Sequence, residues 1–295
     1  MKELLNRLEA IITKYELSDA VLISKIGITS DELQALRSGR SLDAVRLQLI
    51  RAFIEMLEQD IYPTKLVLTM EKILKLTEKE QAISVIGSIS GAGKTLASKR
   101  YASENPLADY MYLPEITSPR YLLQLVSAKL QLPSMGLSIQ QMYEQICASL
   151  ANEKRLFIFD EADRLNRKMF EILRDIWQDG KGNVGIAFVG DENLMNKIKR
   201  PGTLRENLIR LMRRVKYNEI IDPLHPDDIE MVFGQNFKKH KISGKMIQHI
   251  YSKYSALGGF GSILNLTDKI SKIADKTKDT PNDEMCTEAM RRLKL

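Results

Sequence analysis

Cysteine is scarce in this chain of 295 residues, and its two copies, Cys147 and Cys286, stand far apart. Neither sits in a metal-binding or redox spacing. That excludes a disulfide scaffold and points to a reducing, cytoplasmic setting. Histidine is nearly as scarce: three copies, none in an HExxH pattern, argue against a zinc enzyme. No apolar run approaches the ~20 residues of a membrane span. Met1-Lys2-Glu3 opens an amphipathic stretch rather than a signal-peptide core, so no membrane partner is expected. Internal repeats and low-complexity segments are missing too.

What remains is an ordinary globular composition, 44% hydrophobic and 28% charged, which excludes a disordered chain. The length suits two or three domains. The formal charge is +6, unevenly placed. Residues 1–62 hold eight Lys/Arg against ten Asp/Glu, a net −2, so the rest carries +8. Between Asn196 and Lys216, eight basic residues face Glu206 alone, a net +7. Such a block faces a polyanion, an acidic neighbour, or simply solvent.

Hydrophobic spacing divides the chain into three. Residues 1–62 read as a helical N-terminal domain. Leu4, Leu5, Leu8, Ile11 and Ile12 mark a first helix. Ser18-Asp19 starts a second, which Gly27 ends. Thr29, with Glu32 as capping-box partner, starts a third that stops at Gly39. Leu42, Val45, Leu49, Ala52 and Met56 mark a fourth. The second and third helices, joined at Ile26-Gly27-Ile28, resemble a helix-turn-helix with Ser30–Arg37 as recognition helix. A plain helical interaction domain is the other reading, which the negative charge supports.

Gln59–Thr64, with Pro63, marks a boundary. Over residues 63–222, apolar strands at Ala82–Ile86, Tyr110–Leu113, Leu156–Phe159, Val184–Val189 and Val215–Ile221 alternate with helices at Thr95–Ser103, Pro119–Leu130, Ser138–Asn152 and Asn166–Gln178. That alternation predicts an α/β core: a parallel sheet covered by helices on both faces. Residues 223–295 carry only helical patterns, at Asp227–Lys238, Lys245–Tyr254, Ser262–Lys276 and Glu284–Arg292, and form a small helical lid.

The chemistry begins where Ala82–Ile86 runs into Gly87-Ser88-Ile89-Ser90-Gly91-Ala92-Gly93-Lys94-Thr95. Small residues let backbone N–H groups wrap phosphate oxygens, and a helix N-terminus adds positive potential. The binding loop is thus Ser88, Ser90, Gly91, Ala92, Gly93, Lys94 and Thr95. Lys94 reaches the β/γ-phosphates and the Thr95 hydroxyl ligates Mg²⁺. Ser88 stands where the GxxxxGK[ST] template has its first glycine; Gly87 sits one residue early. About 65 residues on, Leu156–Phe159 ends in Asp160-Glu161, on a strand able to lie beside the first in one sheet. Asp160 suits the Mg²⁺ shell, and Glu161 the general base that orients and activates water. Gly185–Val189 ends in Gly190-Asp191-Glu192-Asn193. Asp191, with Asn193 behind it, would lie between the two motif strands, within reach of the γ-phosphate or the lytic water; a simple turn is the alternative. Asn196-Lys197-Ile198-Lys199 lacks the carboxylate a guanine reader needs, so ATP is expected over GTP. Asp160-Glu161-Ala162-Asp163 spells a helicase box, but the chain is too short for two helicase cores and an N-terminal domain.

These residues resemble an AAA+ ATPase of the MuB/TnsC-like transposition family. The resemblance rests on Leu76-Thr77-Glu78, on Gly91–Thr95 with Ala97 and Tyr101, and on Phe159-Asp160-Glu161-Ala162-Asp163-Arg164-Leu165. Gly185–Gly190, Arg210–Val215 and Ile263-Leu264-Asn265 add to it. It implies a protein that binds ATP, assembles as an oligomer or helical filament on double-stranded DNA with little sequence preference, and presents that DNA to a transposase. By position it implies Asp191 as a sensor, and Arg210 or Arg214 as an arginine finger reaching a neighbouring subunit's γ-phosphate. Ser262 stands where the lid usually offers a sensor arginine, which implies slow turnover unless another cation such as Lys269 substitutes. The rival readings are a helicase-loader-type replication protein, and a DNA-binding regulator with a vestigial ATP site.

Overall fold

The structure is a computed structural model, and it describes residues 2–293 apart from 16, 41, 59–61, 181, 200–209, 238 and 256–258. Parts of the basic block (Arg200, Arg205, and the side chains of Lys197 and Lys199) and the first half of the Gln59–Thr64 boundary therefore lie outside the described residues.

Five parallel strands form one sheet: β1 (Ile83–Gly87), β2 (Ala108–Tyr112), β3 (Arg155–Asp160), β4 (Val184–Gly190) and β5 (Val215–Ile220), in the order β2-β3-β4-β1-β5. The two motif strands are therefore not neighbours: β4 runs between β1 and β3, which places its carboxyl end between their loops. β3 shows why the sheet is covered on both sides. Phe157 and Phe159 point to one face and Leu156 and Ile158 to the other, all fully buried. Helices α7 (Pro119–Lys129), α8 (Ile139–Leu150) and α9 (Arg167–Asp179) cover the first face; α5 (Lys65–Glu80) and α6 (Lys94–Glu104) cover the second. β2 and β5 are the two edge strands; β2 is mostly buried and β5 is mostly exposed.

Helix α5 has no counterpart in the expected element series, yet its signals are plain. Thr64 caps it through the Val67 N–H, and Leu66, Val67, Met70, Ile73, Leu74 and Thr77 give its buried stripe. A short helix, α10 (Leu194–Lys199), follows β4.

The N-terminal helices are α1 (Lys2–Tyr15), α2 (Asp19–Ile26), α3 (Ser30–Arg37) and α4 (Ala44–Glu58). Ser18 caps α2, Gly27 ends it at φ 78°, and Thr29 and Glu32 close the expected capping box of α3. The face of α4 differs from expectation. Val45, Leu49 and Ala52 are exposed, and Ile50, Phe53 and Ile54 enter the core. Both stripes are apolar, and packing against Leu8, Leu22 and Leu36 selects the bulkier one. Met56 lies outside the described side chains.

The bundle leans on the sheet's edge through Lys25, whose ammonium donates to the Ala108 carbonyl at the start of β2. Burial holds the Lys25 pKa down to about 8, opposed first by Asp109. Asp109 is itself buried and pairs with Arg155 at 3.4 Å.

Beyond β5 come α11 (Pro226–Asn236), α12 (Gly244–Tyr254), α13 (Gly259–Thr277) and α14 (Asp283–Arg292), which share a separate core around Phe233, Tyr254 and Ile270. Asp228 joins them to the sheet by accepting from the Lys65 N–H at 2.9 Å. No helix among the described residues is long and apolar enough to cross a membrane.

Candidate nucleotide-binding site

The turn between β1 and α6 is shaped by its glycines. Gly91 and Gly93 take left-handed backbone, φ 77° and 102°, which side chains other than glycine's rarely adopt. Gly87 answers a different demand. A Cβ there would lie 2.9 Å from the Asp191 carbonyl, so glycine is needed where the turn after β4 crosses the end of β1. The next position tolerates a side chain, and Ser88 occupies it. Its Oγ is buried without a partner among the described residues, a hydroxyl available to a phosphate oxygen in the loop.

Lys94 folds across the loop, donating to the carbonyls of Ser88 at 2.7 Å and Ile89 at 2.8 Å. Burial pulls its pKa down, while Asp160, Glu161, Asp163 and Asp191 oppose that shift. Four carboxylates thus act electrostatically on one ammonium, a charge balance that suits a phosphate chain accompanied by a divalent cation.

Asp160, almost wholly buried at the end of β3, has both oxygens held. Thr95 Oγ1 donates to Oδ2 at 2.7 Å, Tyr110 Oη donates to the same oxygen at 2.8 Å, and the Glu161 N–H donates to Oδ1 at 3.0 Å. Burial and the neighbouring Asp160 push the Tyr110 pKa up, so its hydroxyl stays a donor. Tyr110 is a functional candidate that sequence reasoning missed; only sheet order brings it to Asp160. The described residues contain no group of three or more His, Cys, Asp or Glu able to hold a metal. The donor set nevertheless fits Mg²⁺, which takes one or two protein oxygens and completes its shell with phosphate and water. Thr95 and Asp160 would supply those oxygens.

Glu161 follows with φ 58°, uncommon for a side-chain-bearing residue, and its carboxylate pairs with Arg164 at 3.1 Å. Asp191 also reaches this end of the sheet, but its Oδ1 accepts from the Asn193 N–H at 2.9 Å, within the turn that precedes α10. Its own N–H donates to Asp163 Oδ1 at 3.3 Å. Asp163, which sequence reasoning did not single out, thus bridges the β3 and β4 turns.

The lid meets the loop at the start of α13. The Gly261 N–H points to the Gly91 carbonyl at 3.5 Å, and a Cβ on Gly259 would lie 3.4 Å from Ala92 Cα. Ser262 therefore sits in the first turn beside the phosphate loop, with Lys269 about 10 Å further along the helix axis. Gly258 lies outside the described residues.

Arg210 and Arg214 stand elsewhere. With Arg213, Arg174, Asp175 and Gln178 they line a cavity of about 610 Å³. Arg214 lies over the Trp177 ring at 5.9 Å, and Arg174 pairs with Asp175 at 2.5 Å. Arg214 directly precedes β5, whose Val215 pairs with Ile83 at the start of β1, whereas the phosphate loop follows the end of β1. A strand of this length spans about 16 Å, so these arginines cannot reach a phosphate in their own loop.

Residues 76–198 match the family described as AAA domain. No curated protein sequence matches the chain. Among solved structures it is similar to the Thermotoga maritima RuvB Holliday junction branch migration motor, with 16% identity, 77% of this chain and 68% of that chain covered, and a TM-score of 0.47. It is also similar to C. elegans PCH-2, with 13% identity, 83% and 74% covered, and a TM-score of 0.41. Likenesses this distant carry no functional weight. The parallel sheet, the phosphate loop and the matched segment together define the AAA+ P-loop ATPase fold.

Proposed function

We propose that this protein is an ATP-dependent, largely non-sequence-specific DNA-binding regulator of transposition, which oligomerises on target DNA and recruits or stimulates a transposase. Residues 1–62, 63–222 and 223–295 are its N-terminal, nucleotide-binding and lid domains. Lys94, Thr95 and the loop from Ser88 to Gly93 hold ATP, Asp160 and Thr95 hold Mg²⁺, and Glu161 takes the proton of the attacking water, with Asp191 as sensor. The magnesium ion neutralises charge on the phosphates when bound.

The observation that carries the reading is the separation of Arg210 and Arg214 from their own loop. A cavity lined by four guanidiniums against one carboxylate calls for an anion. In a head-to-tail assembly that anion is the triphosphate of the next subunit, and assembly then depends on ATP. The remaining basic side chains of the Asn196–Lys216 block would follow DNA phosphates. The N-terminal bundle is a poorer DNA reader. α3 opens with Asp31 and Glu32, and its cation Arg37 is held by Asp19 at 2.6 Å and Glu9 at 2.9 Å. The transposase assignment rests on the helix-turn-helix-like N-terminal domain, the Asp160–Leu165 string and the short helical lid together.

Duplex DNA binding measured with and without ATP tests this function. Affinity should appear with ATP, fall steeply with salt, vary little with sequence, and vanish in Lys94→Ala. Equal affinity with and without ATP would overturn it.

A further inference from the structure

Asp163 holds one side of a single peptide plane at the end of β4. It lies in the short turn Ala162–Arg164 that follows β3, and its Oδ1 accepts from the Asp191 N–H at 3.3 Å. The other polar group of that plane, the Gly190 carbonyl, accepts from the Ser88 N–H at 3.3 Å. One peptide unit is thus held from both sides, by the turn after β3 and by the first residue of the phosphate loop. The connection runs on into the loop, because the Ser88 carbonyl accepts from Lys94 at 2.7 Å. Hydrogen bonds in series polarise one another, so a carboxylate on the N–H strengthens the carbonyl at the other end as an acceptor.

Two glycines make room for this arrangement. A Cβ on Gly190 would lie 2.8 Å from Asp163 Oδ1 and 3.0 Å from Leu194 Cδ2, so a side chain there would push the carboxylate off the Asp191 amide. Gly87 stands opposite Gly190 in the sheet and leaves space for the Asp191 carbonyl. The sheet order explains why the turn needs both anchors. β4 lies between β1 and β3, and its turn can be placed only relative to theirs. The Ser88 bond sets it against β1, and the Asp163 bond sets it against β3.

We propose that Asp163 is a positioning residue, which fixes the β4 turn, and with it the Asp191 side chain, at a set distance from the phosphate loop. Hydrolysis depends on that placement, whereas nucleotide binding rests on the loop itself. What Asp163 supplies is an acceptor oxygen, not a charge. The inference rests on the ATPase reading above, with Asp191 as sensor.

The test is steady-state Mg²⁺-ATP hydrolysis by the full chain as wild type, Asp163→Ala, Asp163→Asn, Asp191→Ala and the double variant Asp163→Ala/Asp191→Ala, with Lys94→Ala as control. Asp163→Ala should lower kcat about tenfold, the loss expected of a displaced active-site group, with KM within about twofold. Asp163→Asn keeps an acceptor oxygen and should retain at least about half of the wild-type kcat; it carries the test if Asp163→Ala fails to fold. The double variant should be no slower than Asp191→Ala, because no sensor side chain is left to misplace. Amide hydrogen exchange reads the contact apart from activity: the Asp191 amide should exchange about tenfold faster in Asp163→Ala than in wild type or Asp163→Asn. An active, Lys94-dependent wild type with an unchanged kcat in Asp163→Ala, an Asp163→Asn slowed about tenfold, additive losses in the double variant, or unaltered exchange at Asp191 overturns this inference alone. If no protein shows Lys94-dependent hydrolysis, the ATPase reading fails with it.

Discussion

Thr95 and Asp160, 65 residues apart in the chain, meet at 2.7 Å, the hydroxyl donating to the carboxylate. The start of α6 and the end of β3 are thereby fixed to each other. A third side chain shares the oxygen, since Tyr110 donates to it from β2.

Tyr110→Phe should therefore act through Asp160. Losing one hydrogen bond to a buried carboxylate costs about 1.5–3 kcal/mol of local stabilisation. The Mg²⁺ concentration needed for half-maximal hydrolysis should rise, while nucleotide binding without Mg²⁺ changes little. A titration of hydrolysis against Mg²⁺ reads this directly, and an unchanged midpoint would show that Thr95 suffices.

Arg37→Ala separates the roles of the N-terminal bundle. Its ion pairs with Asp19 and Glu9 are partly exposed and solvent-screened, so stability should change little. DNA affinity should stay within twofold of wild type, about 0.4 kcal/mol. A larger loss of DNA binding would restore α3 to the role of recognition helix.

Lys25 makes the stability depend on pH. Its pKa falls from 10.5 to about 8 on burial, so the folded state binds fewer protons than the unfolded state between those values. The penalty for burying the charge is complete below pH 8 and is relieved as pH rises toward 10.5. Wild type should therefore gain stability relative to Lys25→Met over that window, on the order of 1–3 kcal/mol. Parallel stability curves from pH 7 to 10.5 would mean that Lys25 is not buried in solution.

The phosphate loop and the carboxylates of β3 were legible in the sequence because their chemistry is local: residues adjacent in the chain contact one ligand. The strands of the core were legible too, since both faces are buried and their apolar runs are continuous. What escaped depends on packing between distant segments. α4 offers two apolar stripes, and only the bundle decides that Ile50, Phe53 and Ile54 turn inward. Tyr110 carries no motif, and the string that holds Asp163 assigns it no role; they matter because β2 lies beside β3, and because the β3 and β4 turns touch. Gly87 looked displaced from its template until the Asp191 carbonyl was found against it.

Mixing two inactive variants tests the shared site most directly. Arg214→Ala lacks the residue offered to the neighbour, and Glu161→Gln lacks the base of its own site. Each alone should hydrolyse ATP slowly or not at all. At equal amounts, about one interface in four pairs an intact Glu161 with an intact neighbouring Arg214. Turnover should then recover to about a quarter of wild type. Arg210→Ala in place of Arg214→Ala identifies which arginine crosses the interface. Full activity in both Arg214→Ala and Arg210→Ala alone, or no recovery at any mixing ratio with either, would contradict a site built from two subunits.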